Sequence, residues 1–262
     1  MTAEIVERVL RSSRYRDVDR SLLARFAAEE LPRARNTDEA VKRVKRRLHQ
    51  AVGAVRGAGG PFRLDGSTGA LTDPALRSAC ADAMGGHAST RERLPYLDTF
   101  YSSIWAITGI PQRVMDLGCG LNPLALPWMG LGDATYLASD VDRRPLETVR
   151  QFLELVGQPH RVEVRDIVSA PPTDAADVAL LLKLIPTLDR QDAGAATRLL
   201  DELRVPDAVI SFPRRSLGGR AKGLERTYRE RIEGLVADST RVRGVVEASV
   251  PNELVFVVTL DG

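Results

Sequence analysis

The amino-acid sequence predicts an α/β fold in which a doubly wound parallel sheet follows an N-terminal helical segment. After Pro111, short apolar runs alternate with helical patterns, and a Gly-x-Gly turn follows the first run. This alternation is typical of parallel sheets whose strands are connected by helices. The last two apolar runs are separated only by Pro251-Asn252, so they are expected to form an antiparallel hairpin at the C-terminus.

The first 56 residues predict three short amphipathic helices, because apolar residues recur there at helical spacing. The three apolar groups are Ile5, Val6, Val9 and Leu10; Leu22, Leu23, Phe26 and Ala27; and Val41, Val44, Leu48, Val52 and Val55. The other faces of the third helix carry Lys42, Arg43, Lys45, Arg46, Arg47 and His49. A helix of this kind can bury one side while it presents positive charge to a partner.

Turn and cap signals divide the segment that follows. Gly57–Pro61 predicts a hinge or tight turn, and Asp73-Pro74 predicts the N-cap and first residue of a helix that ends near Gly85-Gly86. Ser89 and Glu92 have the spacing of a capping box, which predicts a long amphipathic helix after them. The apolar face of that helix would contain Leu94, Leu97, Tyr101, Ile104 and Trp105.

Strand and helix signals alternate in the rest of the chain. Five apolar runs predict the parallel strands: Arg113–Leu117, Ala134–Ser139, Arg161–Arg165, Val178–Leu182 and Ala208–Phe212. The predicted intervening helices are Pro145–Val156 and Asp192–Leu203, and the predicted hairpin strands are Val245–Val250 and Glu253–Leu260. The chain is therefore expected to contain a basic helical domain, residues 1–86, and an α/β domain, residues 87–262.

The composition is that of a globular protein. Apolar residues make up 44% and charged residues 27% of the 262 positions, which excludes disorder and collagen-like repetition. No run approaches the roughly 20 apolar residues of a membrane span, and Glu4, Glu7 and Arg8 stand where a signal peptide would be apolar. Two cysteines and three histidines are too few for a disulfide framework, and no metal site is expected. We expect a cytoplasmic protein.

Positive charge is concentrated in two segments. The net charge is only +2, but residues 1–63 carry +7 and residues 204–231 carry +5. Of the 37 basic residues 33 are arginine, whose planar guanidinium can bind phosphate through two hydrogen bonds. A GC-rich genome would also favour arginine over lysine, but it would not concentrate the charge at one end. The distribution favours contact with nucleic acid over a merely solvated surface.

A glycine-rich turn and several carboxylates lie where a cofactor would bind. Gly118-Cys119-Gly120 follows the first strand, which contains Asp116, and Asp140 and Asp166-Ile167 follow the second and third strands. These ends meet at one edge of a parallel sheet, where Asp140 can accept hydrogen bonds from ribose hydroxyls and Asp166 from an adenine amino group. The third glycine of the dinucleotide fingerprint is missing. We therefore expect S-adenosylmethionine, which has no phosphate, rather than NAD.

Four stretches of the sequence are shared with one enzyme family. They are His87–Leu94 (HASTRERL), Cys119–Leu126 (CGLNPLAL), Leu182–Pro186 (LKLIP), and Ser211–Pro213 with Ser216–Arg220 (SFP and SLGGR). In these stretches the chain resembles the aminoglycoside-resistance 16S ribosomal RNA guanine-N7 methyltransferases. The resemblance implies a class I (Rossmann-like) S-adenosylmethionine-dependent methyltransferase whose helical domain docks on the assembled 30S subunit. The target would be guanine 1405 of 16S ribosomal RNA, and the modification would block kanamycin- and gentamicin-type drugs.

The resemblance also implies roles for individual residues. The residues around the donor would be Arg91 on its carboxylate, with His87 and Ser89 nearby; Asp116 and Gly118 at the glycine loop; Asp140 on the ribose; Asp166 and Ile167 on the adenine; and Leu182 and Gln191 closing the pocket. Lys183 and the loop 211–220 would face RNA, with Arg214 where many relatives have threonine. Phosphate contacts are expected from Arg215, Arg220 and Lys222 and from Lys42, Arg43, Lys45, Arg46 and Arg47. Neither a membrane nor an obligate protein partner is expected.

The chemistry of guanine N7 limits what the site must supply. N7 carries a lone pair and no proton, so direct displacement at a methyl sulfonium needs no general base. Catalysis should then depend on alignment and electrostatics, with Lys183 and Phe212 as positioning residues. Phe212 is either a stacking surface for a flipped base or a core residue at a strand end. Lys183 is either functional or a strand terminus that reaches solvent, and Cys119 is expected to be a small buried residue.

Two other functions stay open at the level of the sequence. In one, the helical domain is the lid of a small-molecule methyltransferase, which the basic third helix disfavours. In the other, the chain is a ribosome-binding module with a decayed donor pocket, which the set of Asp116, Gly118, Asp140 and Asp166 disfavours.

Overall fold

The computed structural model describes residues 1–53, 62, 69–214 and 223–261. The strands in this part of the chain are β1 (Arg113–Leu117), β2 (Thr135–Asp140), β3 (His160–Val164), β4 (Val178–Leu182), β5 (Asp207–Pro213), β6 (Val242–Ala248) and β7 (Glu253–Leu260). They form one sheet in the order β3-β2-β1-β4-β5-β7-β6. The first five strands pair in parallel, whereas β7 is antiparallel to both of its neighbours. The predicted parallel sheet and C-terminal hairpin are confirmed.

Helices surround this sheet and precede it. The α-helices of the described residues are α1 (Thr2–Leu10), α2 (Arg20–Glu30), α3 (Thr37–Leu48), α4 (Pro74–Gly85), α5 (Ala88–Arg91), α6 (Leu97–Thr108), α7 (Leu126–Met129), α8 (Arg143–Leu155), α9 (Ile185–Gln191), α10 (Ala195–Glu202) and α11 (Leu224–Asp238). Over the same residues, no helix is both long enough and apolar enough to cross a membrane. The three predicted N-terminal helices are present as α1 to α3, and Asp73 caps α4 as predicted. The third ends at Leu48, earlier than predicted, and is followed by a π-helical turn, His49–Gly53; Val55 and the predicted Gly57–Pro61 turn lie outside the described residues.

The predicted start of the long helix after Ser89 is wrong, although Leu97, Tyr101, Ile104 and Trp105 form its buried face in α6 as predicted. Ser89 lies inside the short helix α5, whose N-cap is His87. Pro95 follows in a 3₁₀ turn, so the next regular helix, α6, begins only at Leu97. The capping-box spacing was present in the sequence, but the serine hydroxyl lies 2.9 Å from the imidazole Nδ1 of His87 instead of capping a helix.

The other element bounds differ only locally from the predicted ones. β1, β4 and β7 begin and end at the predicted residues, and the remaining strands shift by one to three positions. The helix predicted to begin at Asp192 begins at Ala195, because the Asp192 carboxylate accepts a hydrogen bond from the Gly194 amide (3.0 Å) in a turn.

The chain contains separate hydrophobic cores for the N-terminal helices and for the sheet. We call α1 to α3, residues 2–48, the helical unit; its core includes Ile5, Leu22, Phe26, Val44 and Leu48, all fully buried. The two faces of the sheet form two further cores, because neighbouring strand residues such as Val114 and Met115 point to opposite sides. Helix α4, which the sequence analysis grouped with the N-terminal domain, packs into one of these sheet cores.

The helical unit is attached to the loop that follows β2. The Asp19 amide donates a hydrogen bond to the Val141 carbonyl (2.8 Å), and the Arg143 amide donates one to the Asp17 carbonyl (2.9 Å). Asp19 is also the N-cap of α2, since its carboxylate accepts hydrogen bonds from two amides of the first turn. These contacts place α2 next to the edge of the sheet at which the parallel strands end.

A buried ion pair joins the segment before β1 to the C-terminal hairpin. The Arg93 guanidinium donates hydrogen bonds from Nε and Nη2 to the two carboxylate oxygens of Glu253 (3.0 and 2.9 Å), and each side chain is only 2% exposed. Burial alone would raise the pKa of Glu253, but the positive charges of Arg93 and Lys183 hold it below its ordinary value. Paired charges of this kind are costly to separate, because either one alone is an uncompensated buried charge.

We expect Glu253→Gln to destabilise the protein by about 3–5 kcal/mol, because it leaves the Arg93 guanidinium buried without a negative partner. The matched control is Glu247→Gln in the same hairpin, since Glu247 pairs with Arg229 at the surface and such pairs contribute less than about 1 kcal/mol. Denaturant unfolding of both variants checks the prediction. Equal losses of unfolding free energy would contradict it.

Candidate functional site

A cleft of about 430 Å³ opens where the parallel strands end. Its lining includes Gly118 after β1, Asp140 at the end of β2 and Leu182 at the end of β4. The chain leaves β1 towards β2 on one side and later returns to β4 on the other, which makes this a topological switch point. The position and volume are those of a small-molecule site.

The glycine loop is shaped so that larger residues do not fit. Gly118 and Gly120 have φ values of +62° and +52°, a region that side chains other than glycine rarely adopt. A Cβ atom on Gly118 would lie 2.8 Å from Leu184 Cδ1, and one on Gly120 would lie 2.9 Å from His87 Cε1. The loop therefore presents bare backbone to the cleft, as close approach of a ligand requires.

Asp140 is held in the cleft by backbone amides. Its two oxygens accept hydrogen bonds from the Gly120 amide (2.9 Å) and the Asp142 amide (2.9 Å). Burial raises the pKa of this carboxyl, while the amide hydrogen bonds act in the opposite direction. Because each oxygen has one further lone pair, the carboxylate is able to accept hydrogen bonds from a neighbouring pair of hydroxyls.

Asp116 lies beneath the glycine loop rather than in the cleft. One oxygen accepts hydrogen bonds from Asn122 Nδ2 (2.9 Å) and from the Tyr136 hydroxyl (2.8 Å). The other oxygen is buried and has no hydrogen-bond partner among the described residues. Burial raises the pKa of Asp116 to about 6. Its role in this structure is to hold Asn122, and through it the chain that follows the glycine loop.

At the far end of the cleft, two of the lining residues are bound by an arginine that was not among the predicted site residues. Arg25 of α2 donates hydrogen bonds from Nε and Nη2 to the two oxygens of Asp166 (2.8 and 3.0 Å), and from Nη2 to Gln191 Oε1 (2.8 Å). Asp166 and Gln191 both line the cleft. Arg25 is 141 residues from Asp166 in the chain, so no local sequence signal identified this pair.

Lys183 lies at the end of β4 in a strained backbone conformation. Its φ of +58° is unusual for a residue with a side chain. The ammonium group donates to the Ser89 carbonyl (3.0 Å) and to Glu92 (2.7 Å), and it lies 3.4 Å from Glu253. The Lys183 side chain is only 10% exposed, so the structure holds a positive charge in the wall of the cleft. Glu92 and Glu253, which orient it, were not among the predicted site residues.

His87 is neutral at physiological pH. Burial, followed by the influence of Lys183, lowers its pKa to about 4, although Asp142 acts to raise it. The imidazole lies against the glycine loop, with Nδ1 2.9 Å from the Ser89 hydroxyl.

Comparison with known proteins identifies the family. A family model described as "Ribosomal RNA methyltransferase (FmrO)" matches residues 11–257. The chain belongs to this FmrO family. It is 45% identical to the 16S rRNA (guanine(1405)-N(7))-methyltransferase of Frankia casuarinae, over 96% of this chain and 91% of that protein. It is 38% identical to the enzyme of the same name from Micromonospora echinospora, over 97% and 95%.

The fold agrees with this membership. The crystal structure of the 16S rRNA methyltransferase RmtF, in complex with S-adenosyl-L-homocysteine, superimposes with a TM-score of 0.81. The two proteins are 33% identical, and the match covers 99% of this chain and 98% of RmtF. The predicted Rossmann-like methyltransferase fold is therefore confirmed.

The structure brings most of the predicted donor residues of this FmrO-family protein to the cleft. Those that line it are His87, Ser89, Gly118, Asp140, Asp166, Ile167, Leu182 and Gln191, and Lys183, which was predicted as a positioning residue, lines it too. Arg91 is exposed and does not line the cleft; the next arginine in the motif, Arg93, is the buried one.

Phe212 is a core residue and not a stacking surface for a base. It is fully buried, and its ring stacks on Tyr228 with a centroid distance of 4.5 Å and an interplanar angle of 20°. Tyr228, on α11, lines the cleft in its place. The side chain of Phe212 points away because alternate residues of β5 face opposite sides of the sheet.

The cations of α3 separate into two groups. Lys42 and Arg46 are exposed, whereas Arg43 pairs with Glu39 and Glu30. Arg47 does not fit the predicted phosphate contact: it is 17% exposed, pairs with Glu29 and Glu30, and lies 4.1 Å from the Phe26 ring centroid.

The remaining predicted RNA contacts are only partly within the described chain. Lys45 is half-buried. Arg214 pairs with Glu225 (2.8 Å), which balances the extra charge at that position. Arg215, Arg220 and Lys222 lie outside the described residues.

We expect Asp116 to make the protein less stable as pH rises from about 4 to 6. The unfolded carboxyl loses its proton near 3.8 and the native one near 6, so the native state binds more protons in this window. The unfolding free energy of the wild type should fall by about 3 kcal/mol relative to Asp116→Asn across the window. Denaturant unfolding at several pH values measures this difference. A difference that stays constant, or rises with pH, would show that Asp116 is not held protonated.

Proposed function

We propose that this protein transfers a methyl group from S-adenosylmethionine to N7 of guanine 1405 of 16S ribosomal RNA in the 30S subunit. The observation that carries the proposal is a cleft with a bare glycine loop and two strand-end carboxylates, one of which pairs with Arg25 of the helical unit, a unit that also carries exposed cations. FmrO membership and the names of the relatives support the RNA substrate.

The residues of the cleft fit the donor. Gly118 and Gly120 present bare backbone, since a Cβ atom on either would collide with Leu184 or His87, and Asp140 has free lone pairs for the ribose hydroxyls. Asp166 and Ile167 line the end of the cleft that we assign to adenine, and Leu182 contributes an apolar side chain to its wall. The bound donor supplies an electrophilic methyl group on a sulfonium.

The chain's own groups would act by alignment rather than by moving a proton. Guanine N7 needs no deprotonation, and His87, with a pKa of about 4, stays neutral. The Hoogsteen edge of guanine presents the O6 acceptor next to N7. We propose that Lys183, oriented by Glu92 and Glu253, donates to O6 and so aligns N7 with the methyl group. Methyl transfer moves the positive charge from the sulfonium to the purine, so the lysine contributes alignment of the base rather than stabilisation of the developing charge.

RNA docking is assigned to the exposed cations of the helical unit. Lys42 and Arg46 are exposed on α3, and neither makes an ion pair with another described residue. We propose the helical unit as the docking domain, and residues from α4 onward as the methyltransferase domain. The ribosome as partner implies a cytoplasmic location, and the resemblance implies resistance to kanamycin- and gentamicin-type drugs.

Mapping the modified nucleotide tests the reaction. Incubation with 30S subunits and labelled donor, followed by borohydride–aniline cleavage, should give one strand break, at guanine 1405. Asp140→Asn should reduce modification at least 10-fold, because an amide offers one acceptor where the carboxylate offers two. Methylation of a different nucleotide, or of small molecules with 30S subunits left unmodified, would reject the proposal.

Charge reversal tests the docking surface. The double variant Lys42→Glu/Arg46→Glu should bind 30S subunits at least 10-fold more weakly than the wild type. The slope of its affinity against salt concentration should fall by the equivalent of about two phosphate contacts. The matched control is Arg204→Glu/Arg243→Glu, since both arginines lie at the opposite edge of the sheet, near the starts of β5 and β6. Donor binding should be unchanged in both. Equal 30S affinity in the two double variants would contradict the assignment.

A further inference from the structure

Asp166 is saturated with hydrogen bonds in this structure. Its Oδ2 accepts from Arg25 Nε (2.8 Å) and the Ser169 hydroxyl (2.6 Å). Its Oδ1 accepts from Arg25 Nη2 (3.0 Å) and the Val168 amide (3.2 Å). A carboxylate offers about four lone-pair positions, and all of them are used. An adenine amino group therefore has no acceptor on Asp166 until one of these donors leaves.

Arg25 is the donor that comes from outside the methyltransferase domain. The Ser169 and Val168 contacts are local to the turn that follows β3, whereas Arg25 belongs to α2 of the helical unit. Its guanidinium also donates to Gln191 and lies 4.9 Å from the ring centroid of Phe26. One arginine thus engages two of the polar side chains that line the cleft, Asp166 and Gln191, and it binds the carboxylate in the two-bond geometry that is strongest for this pair.

We propose that Arg25 determines the donor specificity of the cleft by competing with the adenine amino group for Asp166. The inference rests on the proposed function, because it takes S-adenosylmethionine as the ligand. Donor binding then requires that Arg25 release at least one oxygen of Asp166. The helical unit sets donor affinity through this contact as well as carrying the exposed cations of α3.

Removing the competitor should tighten donor binding. Arg25→Met keeps an unbranched side chain over Phe26 but cannot donate to Asp166. We expect it to bind S-adenosylhomocysteine about 5-fold more tightly than the wild type by isothermal titration calorimetry. Arg25→Lys makes one hydrogen bond to Asp166 where arginine makes two, so its affinity for S-adenosylhomocysteine should lie between those of the wild type and Arg25→Met. It replaces the methionine variant in the test if that variant does not fold. The control is Arg20→Met, an exposed arginine of the same helix that pairs with Glu7, with unchanged affinity.

An analogue isolates the adenine amino group. S-inosylhomocysteine has a carbonyl oxygen in its place, which Arg25 can donate to and a bare Asp166 would repel. The wild type should discriminate between the two ligands less than 5-fold, and Arg25→Met more than 10-fold. If the role of Arg25 is purely structural, Arg25→Met will weaken the binding of both ligands by the same factor. The ratio of the two affinities would then be the same as in the wild type, and that result would overturn the inference. Absence of S-adenosylhomocysteine binding to the wild type would instead reject the donor assignment.

Discussion

The buried pair of Arg93 and Glu253 connects the elements that form the cleft. The third donor of the arginine reaches Asn122, which in turn holds Asp116 beneath the glycine loop. Glu253 also accepts a hydrogen bond from the Ser211 hydroxyl and lies next to Lys183. The network therefore ties the glycine loop, the end of β4 and the C-terminal hairpin to one fully desolvated charge pair. Because such a pair resists separation, the positions of these elements are coupled.

The arginines of the helical unit serve two physical purposes. Arg25 and Arg47 point inward, with guanidinium groups 4.9 and 4.1 Å from the Phe26 ring centroid. They reach the side chain and the backbone carbonyl of Gln191, respectively. They hold the unit against the sheet. Lys42 and Arg46 are exposed, so they can attract a polyanion over a distance without breaking a buried ion pair. The basic residues of the unit thus divide between contacts within the molecule and positions exposed to solvent.

The cleft suits a reaction that needs positioning more than proton transfer. Its imidazole is neutral, its ammonium is fixed by two carboxylates and a carbonyl, and its glycine loop presents only backbone. Guanine N7 is nucleophilic without a base. What the reaction lacks in solution is a fixed orientation of N7 towards the methyl group, and a rigid cleft supplies that orientation. The strained backbone of Lys183 is consistent with a side chain held for this purpose.

The sequence by itself determined the parallel sheet, its hairpin and the strand-end positions of Asp140 and Asp166, because strand periodicity, turn residues and glycine spacing are local signals. Only the tertiary structure decided that Phe212 packs on Tyr228, that Arg47 is internal, and that Arg25 engages a carboxylate 141 residues away. The physical reason is that a cation or an aromatic ring has the same sequence context whether solvent, RNA or another segment of the chain lies opposite it.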